Sequence, residues 1–380
     1  MTIVKILYPW MPDYRVDFFR ELVQLGLGDK ITYQVFAGSP PRELGKPQAQ
    51  QTASEFFQVQ SKEIVLFQRS IIRYQVDKSW LEADLVIVEH SVRSLNTWVW
   101  TLFTKPKKIA MWGHGRTYTK KKYGFEEKIK EWLTRKSDWF FSYTEGGKRA
   151  LIESGYPLTN VSVINNSSPI SIQLDKINLE PKEIDSFRKD YELYDKTVGV
   201  FIGAFSKDKR ISMLLEAAQI INQAIPNFCL VFFGEGPEGF RIREASRTKP
   251  WIKMAPYATP RILKLISLSA DVILMPGRVG LIAVDSFALG VPIVTTNFEY
   301  HAPEFEYLRH NKNSIITEDN VLQYAKGVIA LLQDSETKTQ LGKQCLNDSV
   351  KYNIKTMARS FHDGVKSCLN LEEIPTEVSL

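Results

Sequence analysis

Cysteine is scarce in this chain of 380 residues, and the three present, Cys229, Cys345 and Cys368, share no spacing that forms a metal or redox motif. A disulfide-framed secreted domain is thereby excluded, and a reducing compartment is expected. No uncharged apolar run approaches the ~18 residues that a membrane-crossing helix needs. The first residues alternate like a strand and lack a basic segment or cleavage site, so no secretory leader is expected and the chain reads as cytoplasmic. Low-complexity segments and sequence repeats are missing too. No Asp-x-Asp occurs, and no His/Cys/Asp/Glu group has metal-ligand spacing, so no metal site is expected.

What is present is an ordinary globular composition, 44% hydrophobic and 24% charged, at a length suited to two domains. The net charge of +6 is unevenly placed. Through Asp190 there are 28 Lys/Arg against 22 Asp/Glu, and after it 21 against 21, so the whole excess lies in the first half. It concentrates between Lys105 and Lys136, where eleven basic residues face three acidic ones beside Trp98, Trp100, Phe103, Trp112 and Tyr123. Such a stretch suits an anionic membrane surface or a lipid-pyrophosphate acceptor, and equally a solvated basic face. Nucleic acid is not expected, because no known binding module accompanies the charge.

Periodicity alternates between two and 3.6 residues along the chain. Strand-like runs lie at 3–8, 31–36, 64–67, 85–89, 108–112, 139–143 and 161–164, and helical patterns at 14–25, 93–103, 125–134 and 145–154. Residues 38–60 read as a long loop and 165–190 have linker composition. The alternation then restarts, with strands at 198–202, 229–233, 252–254, 272–275, 293–295 and 314–316 between helices, and ends in helical patterns at 337–349 and 354–369. The expected fold class is α/β, two Rossmann-like doubly wound parallel sheets with ligands at the strands' carboxyl ends in a central cleft.

Residues 270–296 are the most informative stretch. A buried strand ends at Pro276-Gly277, a helix follows from Gly280 to its stop at Gly290, and a second strand begins after Pro292. A strand, a glycine turn and a helix make an anion site, because first-turn amides are unpaired and the helix dipole favours negative charge. Asp285, about one and a half turns into the helix, is placed to bond a ribose or sugar hydroxyl.

The stretch resembles the signature of family 4 glycosyltransferases of the GT-B fold, E-G-F-G-L-x-x-L-E-A-M-A-x-G-x-P. Gly280-Leu281, Ala288, Gly290 and Pro292 match it, Asp285 stands at the second glutamate, and Gly277 stands at the first. The loop Gly203-Ala204-Phe205-Ser206-Lys207-Asp208-Lys209-Arg210 resembles the family's G-R-L-x-x-x-K-R, whose Arg and Lys bind the donor diphosphate; Lys209 matches and Ala204 replaces the arginine. Arg278 is the candidate replacement cation. Gly234-Glu235-Gly236-Pro237 is similar to the family's nucleotide-bordering G-[DE]-G-P turn. His114, between Gly113 and Gly115, resembles the histidine that reaches the donor sugar, with His90 competing for that role. Pro12-Asp13-Tyr14-Arg15 resembles a recurrent family start, with Asp13 a candidate N-cap and Arg15 facing cleft or solvent. His301-Ala302-Pro303-Glu304 is similar to the H-x-P-E loop of some relatives, where a capping role for the glutamate is equally open.

The resemblance covers nearly the whole chain and is strongest from 197 to 314. It implies an acceptor-binding domain at 1–168, a linker at 169–192, a donor-binding domain at 193–353, and a helix and tail at 354–380 that cross back to the first domain. The implied activity is transfer of a sugar, with retention and without metal or cofactor, from a nucleotide-sugar to a saccharide or lipid-linked saccharide, in polysaccharide or glycan synthesis. The implied catalytic group is Lys209, His114 and Arg278; the donor would be held by Gly203, Lys209, Gly234, Glu235, Gly236, Gly280, Leu281 and Asp285. The alternatives are a catalytically silent nucleotide-sugar-binding partner and a sugar-nucleotide epimerase of the same fold.

Overall fold

The structure, a computed structural model, describes residues 1–38, 56–66, 69–103, 106–116 and 125–371. It divides into two units, 1–166 with 354–380, and 167–353.

The first unit is built on a seven-stranded parallel sheet. Its strands are β1 (Thr2–Tyr8), β2 (Ile31–Ala37), β3 (Phe57–Gln58), β6 (Leu85–Glu89), β7 (Ile109–Gly113), β8 (Trp139–Ser142) and β9 (Val161–Val163). The order is β3-β2-β1-β6-β7-β8-β9, so the topology reverses between β1 and β6. The run expected at 64–67 lies outside this sheet: β4 (Ser61–Leu66) and β5 (Arg69–Tyr74) form a separate antiparallel hairpin, with Ile64 opposite Ile71. The short β3 lies inside the stretch 38–60 that composition marks as loop, where residues 39–55 fall outside the described ones. Helices α1 (Asp13–Gly28), α2 (Leu95–Leu102), α3 (Phe125–Thr134) and α4 (Glu145–Glu153) connect the strands. Ser94 caps α2 by accepting from the Thr97 amide, and Thr144 caps α4 by accepting from Gly147. Asp13 does not cap α1: Pro12 occupies the cap, and Asp13 lies in the first turn, where it complements the helix dipole.

The last helix, Ile354–Leu369, packs on α1, β8 and β9 of this unit. Phe361 stacks on Phe141 with centroids 4.1 Å apart and meets Phe18 edge-on at 5.5 Å. Close approach depends on Gly364, where an added Cβ would lie 2.7 Å from the Phe141 ring. The buried His362 bridges the Tyr33 hydroxyl at 2.6 Å and the Asp29 carboxylate at 2.9 Å.

The second unit carries a six-stranded parallel sheet. Its strands are β10 (Thr197–Ile202), β11 (Phe228–Phe233), β12 (Ile252–Ala255), β13 (Val272–Met275), β14 (Ile293–Thr296) and β15 (Ser314–Thr317), in the order β12-β11-β10-β13-β14-β15. All of β11, β13 and β14 is buried, which is why these strands read as continuous apolar runs rather than alternating ones. The segment 169–192, expected as a linker, folds as α5 (Ile170–Asp175) and α6 (Pro181–Asp190). Its polar composition is that of two short surface helices with few inward positions, Ile170, Leu174 and Phe187, and α6 opens with Pro181 and a Glu180/Glu183 capping box. Helices α7 (Ile211–Ala224), α8 (Gly239–Thr248), α9 (Pro260–Ser267), α10 (Ile282–Leu289), α11 (Val321–Gln333) and α12 (Ser335–Lys351) complete the unit. Gly290, at φ +67°, ends α10 in the left-handed conformation that its position after the apolar pattern predicts. The order reverses between β10 and β13, so the carboxyl ends of those two strands are where a ligand is received in such a sheet.

Candidate functional site

Three loops meet at those carboxyl ends, and the backbone laces them together. The loop after β10 bonds to the turn after β11: Gly203 N–H donates to Phe233 O at 3.0 Å, and Phe205 N–H donates to Glu235 O at 2.8 Å. Gly234 and Gly236 both have φ +149°, and an added Cβ on Gly236 would lie 2.7 Å from Phe205 O. The Gly-Glu-Gly turn is therefore shaped by its packing on the neighbouring loop, and leaves Glu235 exposed.

On its other side the β10 loop meets the loop after β13. Arg278 N–H donates to Asp208 O at 2.9 Å, and the Lys209 ammonium donates to the Arg278 carbonyl oxygen. A Cβ on Gly277 would press on the Asp208 carbonyl and lie 2.6 Å from the Lys209 carbonyl carbon. The position where the family carries its first glutamate thus has no room for a side chain. Lys209 is half-buried, and desolvation holds its pKa below the usual lysine range, with the Arg278 charge acting in the same direction and Asp208 opposing. The Arg278 guanidinium donates to the Tyr300 carbonyl at 3.2 Å. Lys209 and Arg278 are brought into contact, and Gly203 lies against Gly234 of the neighbouring turn.

A residue that sequence leaves ambiguous holds this turn in place. His301 is buried and stacks on Phe305, with centroids 3.9 Å apart and planes 6° from parallel. Its Nδ1 accepts from the Val279 amide at 3.0 Å, which leaves the proton on Nε2 to donate to the Thr296 carbonyl at 2.9 Å. Burial pushes its pKa down to about 4, so the ring is neutral at ordinary pH and its tautomer is set by these partners. Glu304, also buried, brings a carboxyl oxygen within 3.9 Å of where a Gly280 Cβ would lie. Arg210 lies beside the site at φ +56°, paired with Asp319 and lying over Phe298 at 5.2 Å.

Asp285 is placed differently. Its carboxyl accepts from the Ser168 hydroxyl at 2.6 Å. It keeps part of its surface open, yet desolvation pushes its pKa up to about 6, opposed by the Ser168 bond.

The remaining candidates belong to the first unit. His114 is exposed after β7, its ring 4.8 Å from Tyr143, in a loop pressed on α4: Gly115 has φ +74°, and a Cβ there would lie 2.5 Å from Gly147 O. His90 is buried, with Nε2 bonded to Thr134 Oγ1 at 2.8 Å and its ring edge-on to Phe140. Desolvation keeps its pKa well below the usual histidine range. Of the two, only His114 is presented to solvent. Arg15 does not face solvent: it is 1% exposed, bonded to Tyr8, Met357 and Asn166, with Trp112 and Tyr143 rings 5.6 Å away. In the basic stretch, Lys105 and residues 117–124 lie outside the described ones. Within the rest, Lys107 pairs with Asp84, Lys108 donates to the Cys368 carbonyl, and Arg135 donates to Ser154 O. Among the described residues no helix is long and apolar enough to cross a membrane.

A family profile described as glycosyl transferases group 1 matches residues 183–347, which includes every loop of the laced site. Spore coat protein SA of Bacillus subtilis is 25% identical over 174 residues, 42% of this chain and 45% of that protein, so the match spans less than half of the curated relative. A glycosyltransferase from Rickettsia africae superposes with a TM-score of 0.73 at 11% identity, over 98% of this chain and 99% of that one. The Anabaena protein HepE, in complex with UDP and glucose, superposes with a TM-score of 0.68 at 12% identity, over 97% and 100%. Two parallel-sheet units of this order, the laced loops and the family match place a glycosyl transferases group 1 domain in this chain, on a GT-B fold.

Proposed function

We propose that the chain transfers a sugar from a nucleotide-sugar, held by the second unit, to a saccharide or lipid-linked saccharide acceptor taken by the first, in glycan or polysaccharide synthesis. One observation carries this reading: Lys209 and Arg278 meet on the loop that leads into α10, where the sheet order reverses. Two cations beside a helix N-terminus suit a diphosphate. A half-buried lysine that desolvation disfavours in its charged form is compensated by an arriving anion, so part of the binding would be this relief. Because HepE was solved with UDP and glucose, a uridine diphosphate sugar is the first donor to test. Asp285 would accept from the ribose hydroxyls.

In the reaction the acceptor hydroxyl oxygen bonds to the anomeric carbon while the bond from that carbon to the phosphate oxygen breaks. The hydroxyl proton passes to the leaving phosphate, so no separate base is required. Lys209, Arg278 and the turn at Gly280 stabilise the charge that grows on the diphosphate. His114 would meet the donor sugar. Retention, independence of metal and cofactor, and peripheral contact with the inner face of an anionic membrane belong to the same proposal.

Incubating the protein with UDP-glucose and a panel of other nucleotide-sugars, with and without acceptor extracts, tests it by product release. Nucleoside diphosphate released only with acceptor supports transfer. Conversion of the donor sugar without acceptor would identify an epimerase, and binding without turnover a silent partner.

A further inference from the structure

Lys62 and Arg73 stand directly opposite each other across the β4–β5 hairpin. Like charges in that register destabilise a strand pair, so the arrangement is one that a folding role alone disfavours. Both are exposed, as is the nearby Lys78, and among the described residues none of the three has an ion-pair partner. One carboxylate, that of Asp77, also lines the groove against these three cations; it caps the following turn, accepting from the Ser79 amide at 2.9 Å and from the Ser79 hydroxyl. These cations edge a groove of about 690 Å³ whose other wall is α2, with Leu95, Val99 and Trp100. The apolar wall runs on beyond the groove: Val99 is 37% exposed, and Phe103, one turn further along, is 81% exposed.

We infer that this groove docks one molecule of a phosphorylated lipid, its phosphate among Lys62, Arg73 and Lys78 and its chain along Leu95, Val99 and Trp100. Charge complementarity selects an anion and relieves the Lys62–Arg73 repulsion, while the adjoining apolar wall selects a hydrocarbon chain over a free phosphate. The inference deepens the proposed lipid contact and moves it away from the Lys105–Lys136 stretch, where Lys107, Lys108 and Arg135 are already engaged. It does not depend on sugar transfer.

The test uses the full chain and dodecyl phosphate below its micelle concentration, with inorganic phosphate and dodecyl maltoside as comparisons, by isothermal titration. Dodecyl phosphate is expected to bind at least tenfold more tightly than either. Lys62→Glu should weaken it at least tenfold while raising the melting temperature, since glutamate opposite Arg73 converts repulsion into an ion pair. Val99→Asp should weaken dodecyl phosphate and leave the weak binding of inorganic phosphate unchanged. Equal affinity for phosphate and dodecyl phosphate, or undiminished affinity in both variants, would overturn the inference. Should anionic vesicles still sediment both variants as well as the wild type, the lipid contact would stand and the groove would fall.

Discussion

Lys209 has one of its three ammonium protons committed to the Arg278 carbonyl, and the others remain for a ligand. Lys209→Ala is expected to lower kcat/KM on the order of 10²-fold or more, the usual loss for a transition-state contact, with little change in unfolding temperature. Arg278→Ala should behave alike if that guanidinium replaces the arginine absent at Ala204; steady-state kinetics on the two variants decide it. Asp285 gives a prediction with a sign. Its pKa rises from 3.8 to about 6 on folding, so its contribution to stability is intact below pH 3.8 and is lost as pH rises through about 6. Asp285→Asn should therefore stabilise the protein by about 1–3 kcal/mol above that pH, the partial exposure trimming the full linkage value. Urea unfolding at pH 4.5 and 7.5 should show a smaller gain at the lower pH. The same variant should weaken nucleotide and nucleotide-sugar equally, because both carry the ribose.

At the scale of elements, the site is a set of loops that fit only with glycine at the contacts. Gly277→Glu, which restores the family residue, is expected to lower both stability and turnover, because its Cβ collides with the backbone at Asp208 and Lys209. Wild-type activity in that variant would show that the two loops separate freely. His301→Phe keeps a ring on Phe305 but leaves the Val279 amide and Thr296 carbonyl unsatisfied, at about 1–3 kcal/mol each. Calorimetric unfolding should detect that loss, and turnover should fall with it as the turn before α10 loosens. Periodicity marks β13, α10 and β14 in the sequence, because buried strands and a glycine-stopped helix leave local patterns. It could not expose the hairpin partner of the run at 64–67, nor α5 and α6 within polar sequence, since pairing and docking are decided by distant residues.

At the scale of the whole molecule, the two sheets were legible because doubly wound architecture repeats the same strand–helix alternation twice. Of the site, Lys209, Arg278 and the Gly280 turn were legible as neighbours of strand ends, but their lacing was not. Nor was the burial of Arg15 and His90, because one sequence does not state which loops touch. The central claim is that the second unit clamps a diphosphate between the β10 and β13 loops. Isothermal titration of UDP, in buffer containing a metal chelator, into the wild type and Lys209→Ala tests it most directly. The account predicts saturable binding by the wild type and at least tenfold weaker binding by Lys209→Ala at an unchanged melting temperature. Equal affinity for UDP in the two proteins would contradict it.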